Sequence, residues 1–160
     1  MNENNEQKLN NIRKEKFDIF KLCVDEASKI SDRRMKNNQF FIVINGAILS
    51  ALITFFSKID DIKTCIALIV ASIFGMFLSK FWKRSIMSYK MLKSAKFEVI
   101  NKMENDLIYK PFSEEWNILT QDDKKYNILS KSETNVSDLF FFSYIAILLF
   151  TSIYFYRHIF

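Results

Sequence analysis

Residues 37–57, NNQFFIVINGAILSALITFFS, contain no charged side chain and decide how this chain folds. Two further uncharged runs follow, TCIALIVASIFGMFLS at residues 64–79 and LFFFSYIAILLFTSIYFY at residues 139–156. A helix of about 20 apolar residues crosses the hydrocarbon core of a bilayer, where every backbone group must be bonded within its own segment. The sequence therefore predicts an all-α, polytopic membrane protein with three transmembrane helices.

The second run is the shortest, but its flank extends it. The Lys80 side chain can extend so that its amine lies among the headgroups, while Phe81 and Trp82 stay in the membrane interface. The predicted segments are an amphipathic arm (1–37), the first span (38–57), a hairpin connection (58–63), the second span (64–82), a helical region (83–137), the third span (138–156) and the C-terminus (157–160).

The distribution of Lys and Arg predicts the orientation. Nine lie in residues 1–37 and ten in residues 83–138, whereas residues 58–63 contain two and the C-terminus contains Arg157 alone. Basic residues of short loops stay in the cytoplasm. We therefore expect the N-terminus and the long loop inside and the C-terminus outside. The composition, with 17 Phe but only two Gly and one Pro, is typical of an AT-rich bacterial genome.

Helix-breaking residues are rare outside the spans. No Gly or Pro precedes Gly46, and none separates Gly75 from Pro111. The arm is therefore expected to run into the first span, and the second span to continue as one long helix into the cytoplasm, to about Asp106. Lys110-Pro111-Phe112 should end that helix before a further one that contains Trp116. We expect the arm, the extended second helix and the Trp116 helix to form one cytoplasmic helical layer.

Two helix starts are predicted from polar side chains that can accept hydrogen bonds from free amides. Ser113 is expected to cap the Trp116 helix, with Glu114 in its first turn. Ser137 and Asp138 are expected to cap the third span.

Small residues recur every four positions in the first two spans and predict close helix packing. They are Gly46, Ser50 and Thr54 in the first span and Ala67, Ala71, Gly75 and Ser79 in the second. These ridges either pack the hairpin on itself or on neighbouring subunits, or place hydroxyls along a pore. Asn45 is costly inside a bilayer unless it is bonded, so it predicts a contact with another helix or subunit.

The third span and the basic residues after the second span predict contacts with the surroundings. Aromatic residues give the third span an aromatic surface and suggest a peripheral position: Phe140, Phe141, Phe142, Tyr144, Phe150, Tyr154, Phe155 and Tyr156. A basic cluster is expected to bind anionic lipid headgroups: Lys80, Lys83, Arg84, Lys90, Lys93 and Lys96.

Composition argues against several functions. The only histidine is His158, and two glycines cannot form a phosphate-binding loop, so we expect no enzyme, no catalytic residues, no cofactor and no metal. Charges are mixed, with nine basic and seven acidic residues in the arm, which is typical of solvated helices and not of nucleic-acid binding. Cys23 and Cys65 lack metal-ligand spacing and are interpreted as small apolar residues.

Several short stretches together resemble one family. They are Ile30-Ser31-Asp32-Arg33-Arg34, Asn38, Phe40-Phe41, Asn45, Ala95-Lys96-Phe97-Glu98-Val99-Ile100, Glu104, Pro111-Phe112 and Glu115-Trp116. From about Lys21 to Tyr144 the chain resembles the bacterial RipA-like octameric membrane proteins, which have a proline where this chain has Val136-Ser137-Asp138.

The resemblance implies a homo-octamer in the bacterial cytoplasmic (inner) membrane, with a cytoplasmic helical region and no established enzymatic activity. It also implies importance for Arg33, Arg34, Asn38, Asn45, Lys96, Glu104 and Trp116. Taken singly, Arg33 and Arg34 are read as interfacial anchors or carboxylate partners, and Trp116 as a core aromatic residue.

Two classes of function follow. The first is a non-enzymatic homo-oligomeric scaffold or sensor whose cytoplasmic helical ring acts at the membrane. The second is an ion channel or membrane-permeabilising effector. The sequence does not identify a cytoplasmic partner.

Overall fold

The computed structural model describes residues 3–56, 59, 61–107, 109–121 and 129–159. The described residues form four helices, α1 (Glu3–Phe56), α2 (Ile62–Glu104), α3 (Pro111–Gln121) and α4 (Leu129–Ile159). Three of them, α1, α2 and α4, are long and apolar enough to cross a membrane. The predicted all-α fold with three transmembrane helices is confirmed. The predicted connection at residues 58–63 lies partly outside the described residues, and the span limits within the helices stay predictions.

Helices α1 and α2 are long because nothing in them interrupts the backbone ladder. Helix α1 joins the predicted arm and the first span without a break, and α2 continues for 43 residues. Its final turn tightens, since the amides of Asn105, Asp106 and Leu107 bond to carbonyls three residues back at 2.9–3.3 Å.

Both predicted helix caps are wrong. Helix α3 begins at Pro111, whose missing amide hydrogen costs nothing at a first helical position, so Ser113 lies inside the first turn. Helix α4 begins at Leu129, two turns before the expected start, so Ser137 and Asp138 lie inside it. Both side chains instead bond to α2, as described below.

The chain divides into two compact units. The arm unit contains Met1–Arg33 and Tyr89–Tyr126, and thus the start of α1, the end of α2 and all of α3. Its aromatic contacts centre on Phe112, whose ring centroid lies 6.3 Å from that of Phe20 and 5.9 Å from that of Phe97. Trp116 was expected in the core, but 57% of it is exposed, so Phe112 holds that place instead.

The span unit contains Arg34–Ser88 and Asn127–Phe160, and thus the predicted spans of α1, α2 and α4. One cluster joins Leu52, Cys65, Leu68 and Tyr144. The other contains Phe41, Trp82 and Ile86, with the indole stacked on the Phe41 ring at a centroid distance of 5.9 Å. Trp82 was expected in the membrane interface, but only 1% of it is exposed because it fills the space between the helices.

Candidate functional site

The span unit brings together one polar face from each of its three helices. Spacings of three, four or seven residues place side chains on one side of a helix. The contributing residues are Arg34, Asn37, Asn38 and Asn45 on α1, Ser79, Trp82, Lys83 and Ser85 on α2, and Glu133, Ser137, Asp138 and Tyr144 on α4. We call this set the polar column.

Asn45 is the centre of the polar column and is fully buried. Its amide nitrogen donates to the Phe41 carbonyl at 2.8 Å, within α1. Its side-chain oxygen accepts from the Ser79 hydroxyl at 3.1 Å and lies 3.2 Å from the Tyr144 hydroxyl. The Tyr144 hydroxyl also lies 3.0 Å from the Asn45 carbonyl oxygen. Asn45 therefore finds its partners on α2 and α4 of the same chain and does not require a neighbouring subunit.

Gly75 makes the approach of Tyr144 possible. A Cβ atom placed on Gly75 would lie 2.5 Å from the Tyr144 ring, far inside normal contact distance. The ring occupies the space that a side chain would take, and its hydroxyl thereby reaches Asn45. Tyr144 was expected on the outer aromatic surface of the third span; its complete burial corrects that expectation.

Two further hydrogen bonds between helices belong to the polar column. Ser137 donates to the Ser79 carbonyl at 2.8 Å, and the Trp82 indole donates to the Asn38 side-chain oxygen at 3.0 Å. These bonds replace the caps and interfacial anchors that the sequence suggested. Each joins two different helices, and a buried polar atom without such a partner costs roughly 1–3 kcal/mol.

Charged pairs mark one end of the column. The Arg34 guanidinium donates to the Glu133 carboxylate through Nε at 3.0 Å and also through Nη2, and both side chains are largely buried. Lys83 donates to both oxygens of Asp138 at 2.7 and 2.8 Å. Removal of one partner from a buried pair is strongly destabilising because the other charge stays in a medium of low dielectric.

The predicted small-residue ridges are divided between the inside and the outside of the span unit. Gly75 and Ser79 face inward, and Ala71 is half-buried against the core. Gly46 has nothing within 4 Å of its Cβ position, and Ser50, Thr54 and Ala67 are exposed. The hydroxyls of Ser50 and Thr54 donate to carbonyls four residues back on their own helix at 2.8 and 2.9 Å. A contact with another subunit stays a prediction for this outward set.

The basic cluster contains members with partners inside the chain. Lys83 is bonded to Asp138, and the Lys80 amine lies 5.0 Å from the centroid of the Phe141 ring. The Lys93 amine likewise lies 5.6 Å from the Phe97 ring centroid. Arg84 and Lys90 are exposed, and Lys96 is half-buried. Lipid binding by this cluster stays a prediction.

Glu104 organises the start of α3 in the arm unit. Its fully buried carboxylate accepts from the backbone amides of Phe112 at 2.8 Å and Ser113 at 3.1 Å, and from the Ser113 hydroxyl at 2.8 Å. A negative charge at a helix N-terminus is stabilised by the free amides and by the helix dipole. Glu104 thus takes the capping role that the sequence assigned to Ser113.

Charged pairs on the surface of the arm unit shift several pKa values. The hydrogen bond from Lys29 to Glu26, 2.9 Å long, lowers the pKa of that carboxyl, and the nearby charges of Lys96 and Arg33 lower it further. Lys16 lowers the pKa of Asp106 in the same way through a 2.8 Å bond. Arg33 itself is exposed. These are solvated contacts, unlike those of the polar column.

Sequence reasoning missed a seven-residue recurrence that marks the inward face. The positions are Asn38, Asn45 and Leu52 on α1, Cys65, Ser72, Ser79 and Ile86 on α2, and Ser137, Tyr144 and Thr151 on α4, all buried. Left-handed packing of helices produces this period. Among the described residues, the buried hydroxyls of Ser72 and Thr151 have no hydrogen-bond partner. Within the same part of the chain, no three His, Cys, Asp or Glu side chains are grouped as a metal site.

Comparison with known families adds the decisive observation. The sequence model of the octameric membrane protein family (8xMP) matches residues 17–154, which include the polar column and Glu104. The chain belongs to this family. The predicted resemblance to octameric membrane proteins is thereby confirmed, although the match does not carry the narrower RipA-like name. No curated protein and no solved structure matches the chain. Membership supports a membrane protein that assembles with its own copies.

Proposed function

We propose that this 8xMP-family protein is a non-enzymatic homo-octameric scaffold or sensor of the bacterial cytoplasmic membrane. The arm unit lies in the cytoplasm, where eight copies form a helical ring, and the C-terminus lies outside. The family match supports eight copies, and the excess of Lys and Arg in residues 1–37 and 83–138 supports this orientation.

The hydrogen-bond partners of the polar side chains in the spans are the observation that favours a scaffold. Asn45, Ser79 and Tyr144 are bonded to one another inside one chain. The exposed hydroxyls of Ser50 and Thr54 donate to carbonyls of their own helix. An ion path needs polar groups that face a lumen and are available to replace water. Asn45, Ser79 and Tyr144 hold the protomer together, and Ser50 and Thr54 are bonded within their own helix, which favours a scaffold over a channel.

The exposed apolar residues of the arm unit support assembly outside the bilayer. Phe17, Leu22, Met91 and Ile118 are each between 56% and 72% exposed. Burial of these side chains against another copy removes apolar surface from water, which favours association. In the proposed octamer, contacts between neighbouring arm units cover part of this surface. The exposed members of the basic cluster, Arg84 and Lys90 among them, bind anionic headgroups at the cytoplasmic face.

Mass measurement in mild detergent tests the proposal. Eight chains of 19.0 kDa are expected, and a particle of one or two chains would refute it. Ion-flux measurement with the octamer in liposomes separates the two classes of function, since flux above that of empty liposomes would favour the channel. Labelling of Lys63→Cys in a Cys23→Ser, Cys65→Ser background by an impermeant maleimide on intact cells tests the orientation. Labelling only after lysis would exclude it.

A further inference from the structure

Helix α2 carries an apolar groove on the outer surface of the span unit. The groove is lined by Lys63, Ile66, Ala67, Val70, Ala71 and Phe74. All six residues belong to α2, and no residue of the other described helices lines the groove. Ala67 and Ala71, four residues apart, carry the shortest of these side chains, and Ile66, Val70 and Phe74, also four residues apart, form a row of larger side chains beside them. The shape fits a helix whose contacting face is narrow.

The outward face of α1 has that character. Ala47, Ser50, Ala51 and Thr54 are all exposed on it, and Gly46 has open space at its Cβ position. The larger exposed residues Val43 and Ile53 border this stretch of small side chains. The outward face of α4 is dominated by the large exposed residues Leu139, Phe142, Leu149, Phe150 and Ile153, although Ala146 and Ser152 are exposed too. Large apolar side chains suit lipid, whereas small ones let two helix backbones approach closely. The α1 face is therefore built for contact with another helix.

The two surfaces lie at the same depth in the span unit. Asn45 contacts Ser79, and Asn37 contacts Ser85, so α1 and α2 run in opposite directions. Each step of one residue along α1 therefore corresponds to one residue backwards along α2, about 1.5 Å each. Counted from the Asn45–Ser79 contact, residues 50 and 54 lie level with residues 74 and 70, within the groove. Copies related by an axis along the membrane normal can thus bring one surface to the other without a shift in depth.

We propose that the α1 face of one copy, residues 47–54, seats in the α2 groove of the next copy. This inference rests on the proposed octamer and names its intramembrane contact. The two surfaces are different and lie on the same chain, so each copy uses its α1 face towards one neighbour and its α2 groove towards the other. Such a head-to-tail contact closes into a ring when the rotation per copy divides the circle.

Cysteine cross-linking tests the contact in a Cys23→Ser, Cys65→Ser background. Thr54→Cys and Ala67→Cys in the same chain should give, with a short bismaleimide, a ladder of products at multiples of 19.0 kDa up to eight. Either substitution alone should give no ladder, and a mixture of the two single variants should give dimers only. Thr54→Cys with Ile73→Cys is the matched control, because Ile73 is exposed on α2 but does not line the groove.

A second variant tests the same contact without cross-linking. Ala67→Leu fills the groove, and Ala67 is exposed within the chain, so the substitution leaves the protomer intact. Loss of the octamer is expected for Ala67→Leu and not for Ile73→Leu. If Ala67→Leu remains octameric and the Thr54→Cys, Ala67→Cys variant gives no ladder, the inference is overturned and the groove faces lipid. Dimers from Ala67→Cys alone would overturn it in favour of a groove-to-groove contact. A wild-type protein that is not octameric would instead refute the proposed function.

Discussion

Replacement of Gly75 by alanine should destabilise the span unit, although it adds a single methyl group. The new Cβ atom would lie 2.5 Å from Cε1 and Cζ of Tyr144, roughly 1 Å closer than carbon atoms normally approach. The atoms belong to a ring that is fully buried and bonded to Asn45, so the ring cannot move without loss of that contact. The alternative is a shift of α2 away from α4.

The expected cost follows from these two terms. Overpacking in a closely packed interior costs about 1–3 kcal/mol. Loss of the interhelical hydrogen bond from Tyr144 adds about 0.6 kcal/mol in a membrane protein. Alanine gains about 0.5–1 kcal/mol over glycine in a helix, which offsets part of this. We therefore expect Gly75→Ala to lower the free energy of unfolding by about 1–3 kcal/mol, with displacement of the ring as the main cause.

Gly46→Ala is a matched control on the neighbouring helix. Its Cβ position has no atom within 4 Å, so only the gain in helix propensity applies and stability should hold or rise. Unfolding of both variants in mixed micelles with increasing denaturing detergent gives the comparison. Tyr144→Ala combined with Gly75→Ala should remove the clash, so the two effects should not add. Equal stability of Gly75→Ala and Gly46→Ala would refute the packing described here.

Three further predictions concern charged groups. Glu133→Gln leaves the buried Arg34 guanidinium facing a neutral amide and should cost about 3 kcal/mol in the same unfolding assay. Glu104→Gln removes the charge at the start of α3, should cost about 1 kcal/mol and should speed hydrogen exchange of the amides it binds. Because Lys16 lowers the Asp106 pKa from 3.8, their contact stabilises the fold above that pH and is lost as pH falls through the lowered pKa; Asp106→Asn should remove this part of the acid dependence.

Each of the three has a result that would contradict it. Glu98→Gln breaks an exposed pair with Lys102 and should change stability little, so equal losses for Glu98→Gln and Glu133→Gln would contradict the buried position of the latter. Unchanged exchange at Phe112 and Ser113 in Glu104→Gln would contradict the capping role. An identical acid transition in Asp106→Asn and the wild type would show that the Lys16 contact contributes nothing.

The membrane helices were predictable because charge exclusion over residues 37–57, 64–79 and 139–156 has one physical explanation. Asn45 and Ser79 were recognised as contact residues because an amide in hydrocarbon needs a partner and a small residue leaves room for one. The sequence did not indicate where those partners lay. Spacing by four suggested contacts between the first two helices, whereas the seven-residue recurrence that includes Tyr144 identifies α4 as the third member.

Other errors arose where local chemistry allowed two outcomes. Tyr144 stands among phenylalanines that suit lipid, and only the gap at Gly75 shows that its ring points inward. Ser137 and Asp138 are residue types that often cap helices. Residues 129–136 contain no Gly or Pro, however, so the helix already begins at Leu129. Ser137 and Asp138 lie within it and bond to α2. Glu133 was not recognised because it lay in a region expected to precede the helix. Tertiary contacts override such weak local preferences.

The polar column also sets the register of the three spans. Apolar helices in lipid can slide along one another at little cost, since one leucine contact resembles the next. Donors and acceptors matched at Ser79, Asn45 and Tyr144 do not permit this, because a slip of one turn, about 5.4 Å, would separate all of them at once. Arg34 and Glu133 add a charge to the same constraint. The position of each helix along the other two is therefore set by matched side chains on all three helices.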